Sequence, residues 1–214
     1  MRLLTIFSFL IVLISCKQEV KQLTAQDIID KAIENAGGEI NDVLTNTNFE
    51  RFVNGTKLII PDSTASKYSN SVNSVHYFVQ LPYGLNEATV KKELVGEAEI
   101  NNKKYYEIKV TFAQDGGGTD HEDIYMYWIK QDDFAVDYFA YKFYTGKGGI
   151  RFREAYNPRT IKGLRFVDYK NYKAEPWESV EMETLDELFV SGKLDLLSEI
   201  KTEDVSVEIS SVDQ

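Results

Sequence analysis

Cysteine, histidine and proline are scarce in this chain of 214 residues, numbering one, two and four. A single cysteine excludes a disulfide framework and a cysteine-based zinc site. Two histidines leave little for a multi-histidine metal centre. Positive charge is also short: Lys and Arg total 24 against 34 Asp and Glu, for a formal net charge of −10. That balance argues against nucleic acid, because no basic patch is large enough to neutralise a run of phosphates. The usual marks of catalysis are missing too. There is no Gly-x-Ser-x-Gly elbow, no His-Glu-x-x-His and no Gly-x-x-x-x-Gly-Lys loop, and no cofactor is implied. Apolar and aromatic residues are plentiful, at 43% and 13%, enough for a sizeable core and too many for a disordered segment.

The N-terminus carries one positive charge, Arg2, followed by an almost wholly apolar stretch over residues 3–14. That stretch is shorter than the ~20 residues a helix needs to cross a bilayer. Residues 1–15 therefore read as a secretory signal rather than an anchor. Directly at its end stands Leu13-Ile14-Ser15-Cys16, which resembles the lipobox of bacterial lipoproteins. The resemblance implies that Cys16 takes a diacylglycerol, that cleavage falls before it, and that the new amino terminus receives a further acyl chain such as palmitate. Several chains together give an effectively permanent tether. Residues 16–23 then form a lipidated tether and 24–214 a single domain. Lys17 stands where the enterobacterial sorting rule places an Asp for inner-membrane retention, so the expected address is the cell envelope, at the outer membrane.

Thr24 caps a helix in which Ile28, Ile29, Ala32, Ile33 and Ala36 recur at helical spacing, closed by Gly37-Gly38. Most of the chain beyond this helix reads as strands, over 48–60, 74–80, 91–100, 103–113, 122–130, 133–144, 149–156 and 160–172. Asn101-Asn102 suits a hairpin, and Lys162-Gly163 a turn. A helical stretch is expected over 184–193 and a last strand over 205–209. Strands joined in sequence by short links form an antiparallel meander, not βαβ units. The expected fold is mainly β with α: a curved antiparallel sheet, a half-barrel covered by the N-terminal amphipathic helix.

Alternation gives the strand over 133–144 two aromatic faces, Phe134, Val136, Tyr138 and Tyr144 against Ala135, Phe139, Tyr141 and Phe143. The strand over 122–130 sets Ile124, Met126 and Trp128 opposite Tyr125, Tyr127 and Ile129. Either both faces are simply covered by the chain, or one lines a hollow open to an apolar ligand. Lipobox, early helix and curved sheet together resemble the half-barrel lipoprotein carriers (LolA/LolB-like). At motif level the chain resembles a family of Gram-negative lipoproteins of unknown function, through residues 78–86 (FVQLPYGLN), 116–123 (GGGTDHED) and 151–157 (RFREAYN).

Three constellations carry candidate chemistry. Asp120, His121 and Asp123, on the acidic glycine loop over 115–123, offer oxygens and an imidazole to a hard cation, or else form an ordinary solvated loop. Arg151 and Arg153 share a strand face, either clamping a carboxylate or phosphate or pairing with acids across the sheet. His76 sits in an aromatic stretch, as a structural imidazole or a ligand contact. The expected ligand contacts are His76 and Tyr83, the aromatic residues Tyr125, Tyr127, Trp128 and Tyr138, and Arg151, Arg153, Glu154 and Asn157. The leading expectation is a membrane-anchored lipoprotein binding a lipid or other hydrophobic small molecule. A non-catalytic interaction lipoprotein with an envelope protein partner, and a metal-assisted hydrolase, stand behind it.

Overall fold

The computed structural model describes residues 22–38, 50, 52–59, 61, 69–113 and 122–208, without the side chains of 69–73. Cys16, the signal segment and most of the tether lie outside the described residues, as do Asp120 and His121.

Helix α1 (Ala25–Ala36) begins at a capping box. The Thr24 hydroxyl accepts from the Asp27 amide, and the Asp27 carboxylate accepts from the Thr24 amide at 2.9 Å; two otherwise orphaned donors are thus satisfied. The five residues of its apolar stripe are the five that it buries. At its C-terminal end Gly37 adopts φ +137°, and a Cβ there would lie 2.8 Å from the carbonyl oxygen of Gly163. Only glycine lets the helix end approach that turn so closely.

The chain then makes a small hairpin, β1 (Phe52–Val53) with β2 (Thr56–Lys57), and helix α2 (Ser69–Val79). Seven further strands come after them: β3 (Val90–Ile100), β4 (Lys103–Phe112), β5 (Ile124–Lys130), β6 (Val136–Phe143), β7 (Gly149–Ile161), β8 (Leu164–Lys173) and β9 (Asp195–Ile200). They pair in sequence order, every pair antiparallel, as one curved and unclosed sheet. Between β8 and β9 lies the short helix α3 (Leu185–Val190). The tight turns carry residues tolerant of positive φ: Asn101 and Asn102 at 51° and 62°, Lys162 and Gly163 at 48° and 89°. Such two-residue links fit the twist of antiparallel strands.

Both faces of the sheet are covered. On one, α1 and α2 pack on Ile108, Val110, Tyr127, Ile129, Phe139, Val167 and Tyr169. On the other, Leu185 of α3 and the preceding turn at Met182 pack on Met126, Trp128, Tyr138, Ile150 and Phe152.

The structure corrects four sequence expectations. Of residues 74–80, expected as a strand, 74–79 belong to α2 and Gln80 to the turn after it, so His76 lies on a helix. The expected strand over 48–60 is, where described, the β1–β2 hairpin, because Asn54 and Gly55 take φ 49° and 77° and turn the chain back. In β6 the residue Asp137 is bulged out between the pairs Trp128–Tyr138 and Ile129–Val136. Val136 therefore joins the helix-covered face with Phe139, instead of sharing a face with Tyr138. The bulge has polar anchors: Asp137 accepts from Tyr105 and Arg165 at 3.2 Å each. Finally, residues 205–208 form no strand; β9 is one edge of the sheet, with β3 at the other, and Asp204 at φ 52° breaks the extended run beyond it.

Candidate functional site

Register assembles the site on the helix-covered face. Tyr127 pairs with Phe139, Phe139 with Arg153, Arg153 with Asn171 and Asn171 with Ser198, which places one row of side chains across five strands. The next row runs Tyr125, Tyr141, Arg151, Lys173 and Asp195. Directly opposed residues on antiparallel strands share a face, so the two arginines stand beside a wall of rings. Tyr125 stacks on Tyr141 at 5.5 Å, Tyr127 on Phe139 at 5.9 Å, and Phe139 meets Tyr169 edge-on at 5.4 Å.

Helix α2 closes this wall chiefly with Phe78. Its ring lies 4.8 Å from that of Phe139, 5.7 Å from Tyr141 and 6.4 Å from Tyr169. The neighbouring Tyr77 exchanges a 3.1 Å hydrogen bond with the buried hydroxyl of Tyr127. Burial pushes both phenol pKa values up, so they pair as neutral hydroxyls. Where the sequence left room for an apolar hollow, the chain's own rings fill the space. Beside Phe78 and Tyr169, among the described residues, a cavity of about 10 Å³ remains, room for about one water.

Arg153 sits beneath that closure and is 4% exposed. Its guanidinium carbon lies 5.0 Å from the centre of the Phe78 ring and 5.8 Å from that of Tyr141. Nη2 donates to the Tyr141 hydroxyl at 3.2 Å. Nε and Nη1 are buried and have no hydrogen-bond partner. The cross-strand neighbours of Arg151 and Arg153 are Tyr141, Lys173, Phe139 and Asn171, so carboxylate pairing across the sheet is not how this chain holds them. Arg151 instead lies 5.2 Å over Phe143 and donates to its own strand at the Ile150 carbonyl. Burial draws the Arg153 pKa down, with the Tyr141 hydroxyl opposing. Across from it, Asn171 donates Nδ2 to Ser198 at 3.0 Å and leaves Oδ1 without a partner.

The other candidate residues divide between places. Trp128, Tyr138 and Glu154 belong to the opposite, α3-covered face. Glu154 accepts there from Tyr172 at 2.9 Å and Lys170 at 3.2 Å, and burial with that bond pushes the Tyr172 pKa to about 12. Asn157 occupies the β7 bulge before Pro158, whose missing N–H cannot join the ladder, and donates to Asp168 at 2.8 Å. Tyr83 holds the end of α1 by donating to the Ala36 carbonyl at 2.8 Å. The His76 ring bonds Gln80 one turn along α2, at 2.8 Å. Asp123 is buried, and among the described residues no group of three His, Cys, Asp or Glu is placed to hold a metal ion. Phe78, Phe139, Tyr141, Tyr169 and Asn171 belong to the site although sequence reasoning did not single them out for it. The shared parity of 139 and 141 with 125 and 127 across one hairpin was the available signal.

On the opposite face, Glu107 accepts from the indole N–H of Trp128 at 3.0 Å, both groups buried. Desolvation, and then the charge of Asp186, raise the Glu107 pKa; desolvation likewise raises that of Asp186. A carboxylate whose folded pKa is raised contributes stability below its unfolded pKa and loses it as pH rises through the folded one. Near neutral pH the ionised pair therefore opposes folding. Glu107→Gln, which keeps an acceptor for Trp128, is expected to raise the unfolding free energy by about 1 kcal/mol at most at neutral pH. The gain should vanish on acidification through the carboxylate range in urea melts; equal gains at both ends would contradict it.

Fold and site together define an open antiparallel sheet whose helix-covered face buries an aromatic wall around an incompletely satisfied arginine. The chain belongs to a family of unknown function (DUF6503), whose model matches residues 13–202. No curated protein and no solved structure matches it. No described helix is long and apolar enough to cross a membrane.

Proposed function

We propose that this chain is a lipid-tethered envelope protein, anchored at Cys16, that binds a lipid or another apolar ligand between α2 and the sheet. The observation behind the reading is that the aromatic wall is roofed at its centre by one ring, Phe78, on a short helix. Tyr77 adds a ring contact with Tyr125 at 6.0 Å and a hydrogen bond with Tyr127, and Tyr169 donates to the Phe78 carbonyl at 3.4 Å. An apolar chain matches the wall as well as the phenylalanine ring does, so a ligand takes the place of Phe78 when α2 lifts. The packed arrangement is then the empty state, with the helix as its own plug.

Phe78→Ala separates this from a purely structural core. The variant should lose about 2 kcal/mol of stability, less than the roughly 3–5 kcal/mol usual for a buried ring, because α2 can settle into the space. It should also take up the neutral dye Nile red severalfold more tightly than the parent, read as a blue-shifted emission. Failure of both proteins to bind dye would end the reading. A second reading, a non-catalytic interaction lipoprotein, draws on the sheet edge. Strand β9 leaves Leu196 and Leu197 54% and 44% exposed, with Val190 of α3 at 55%. Crosslinking through that edge in intact cells should then recover one recurrent envelope partner.

A further inference from the structure

We infer that the ligand of the helix-covered face is an acidic amphiphile, its oxyanion taken by the open N–H groups of Arg153 and its apolar chain laid along the wall of Tyr127, Phe139, Tyr141 and Tyr169. This rests on the ligand-binding reading above and adds the chemistry of the head group.

A buried cation is ordinarily paired, because removing a guanidinium from water is costly unless another charge and hydrogen bonds replace the solvent. Arg153 breaks that rule. It forms one hydrogen bond, to a neutral phenol, and leaves two nitrogens orphaned at 4% exposure. The rings of Phe78 and Tyr141, 5.0 and 5.8 Å from the guanidinium carbon, return part of the cost through cation–π attraction, but Nε and Nη1 stay without a hydrogen bond. Arg153 forms no ion pair with any described carboxylate, and the charged side chain that acts on it electrostatically is a second cation, Arg151. In a protein with ten more acids than bases, a pair of arginines without an acid is a local excess of positive charge facing the ligand space.

A simple anion would satisfy the nitrogens but leave the surrounding rings without purpose. A neutral lipid would suit the rings but leave the cation unpaired. An amphiphile carrying one oxyanion meets both requirements, and its head lies below Phe78, the residue that has to move to admit it. Charge-assisted bonds from guanidinium to carboxylate are the stronger kind, so the anion also provides the drive for displacing α2.

The test compares laurate, dodecanol and acetate on the full mature chain by titration calorimetry, with Arg153→Met and Arg153→Lys beside the parent. The parent should bind laurate at least about tenfold more tightly than dodecanol, the worth of one charge-assisted bond, and should bind acetate weakly. Methionine fills a buried position without charge; Arg153→Met should lose the preference for laurate over dodecanol, while Arg153→Lys keeps part of it. Equal affinities of the parent for laurate and dodecanol would overturn the inference and leave apolar binding standing. Acetate binding as tightly as laurate would overturn the amphiphile in favour of a small-anion site. Binding of none of the three would remove the inference and the ligand-binding reading together. An unchanged laurate preference in Arg153→Met would show that Arg153 is only part of the packing.

Discussion

Trp128→Ala is expected to lower the unfolding free energy by about 4 kcal/mol, the most of any change considered. Trp128 is fully buried at the middle of β5, 5.3 Å from the ring of Phe152, and its indole nitrogen is the donor that satisfies Glu107. The alanine leaves a large void among Met126, Tyr138, Ile150 and Phe152 and strips a buried carboxylate of its hydrogen bond. Trp128→Phe separates the two effects. It keeps most of the volume and still orphans Glu107, at a cost of about 1–2 kcal/mol. That smaller loss should shrink on acidification, because a protonated Glu107 no longer needs a donor for a charge. Urea melts at neutral and mildly acidic pH measure both; a pH-independent loss for Trp128→Phe would show that the indole acts by volume alone.

Asp168→Ala is the second, at about 3 kcal/mol. Asp168 is 5% exposed and gathers four hydrogen bonds: Asn157 Nδ2 at 2.8 Å, Arg159 Nη1 at 3.1 Å, and the amide and hydroxyl of Thr202 at 3.0 Å each. Arg159 in turn donates to the Thr202 carbonyl. One carboxylate therefore fixes the β7 bulge and ties the chain beyond β9 to β8. Despite the opposing effect of desolvation, these bonds hold its pKa below the usual aspartate value. A lowered folded pKa gives stability that is present above the unfolded pKa and lost as pH falls through the folded one. Asp168 thus supports the fold at neutral pH and weakens it in acid, opposite in sign to Glu107 and Asp186. The loss in Asp168→Ala should accordingly be full at neutral pH and fade in strong acid. A loss of under about 1 kcal/mol at neutral pH would mean that the network is surface decoration.

The particular residues show where sequence was a sufficient guide. Thr24, Asp27 and the Ile28 to Ala36 stripe carry all the physics of α1 locally, in cap and period, and the helix is where that pattern puts it. Asn101-Asn102 and Lys162-Gly163 announce their turns through the one property those turns need, tolerance of positive φ. Alternation in β5 correctly separates Tyr125 and Tyr127 from Trp128. It fails in β6 because Asp137 is ejected from the ladder, and that depends on Tyr105 and Arg165, contributed by two other strands. Helix α2 is hidden for a similar reason. Its valines, Tyr77 and Phe78 favour extended structure by composition, and what decides the matter is the aromatic wall that Phe78 and Tyr77 pack against. The orphaned nitrogens of Arg153 are further still from the sequence. Two arginines at alternate positions are compatible with cross-strand acids, and only the register that sets Phe139 and Asn171 beside Arg153 removes them.

Whether the ring of Phe78 holds the place of an apolar, acid-headed guest is tested most directly by native mass spectrometry of the protein purified under mild conditions. The expected result is a population heavier than the covalent polypeptide by the mass of one acidic amphiphile, which leaves on unfolding and is depleted in Arg153→Met. A parent protein that flies only at its own covalent mass, and gains nothing on incubation with laurate, would contradict it.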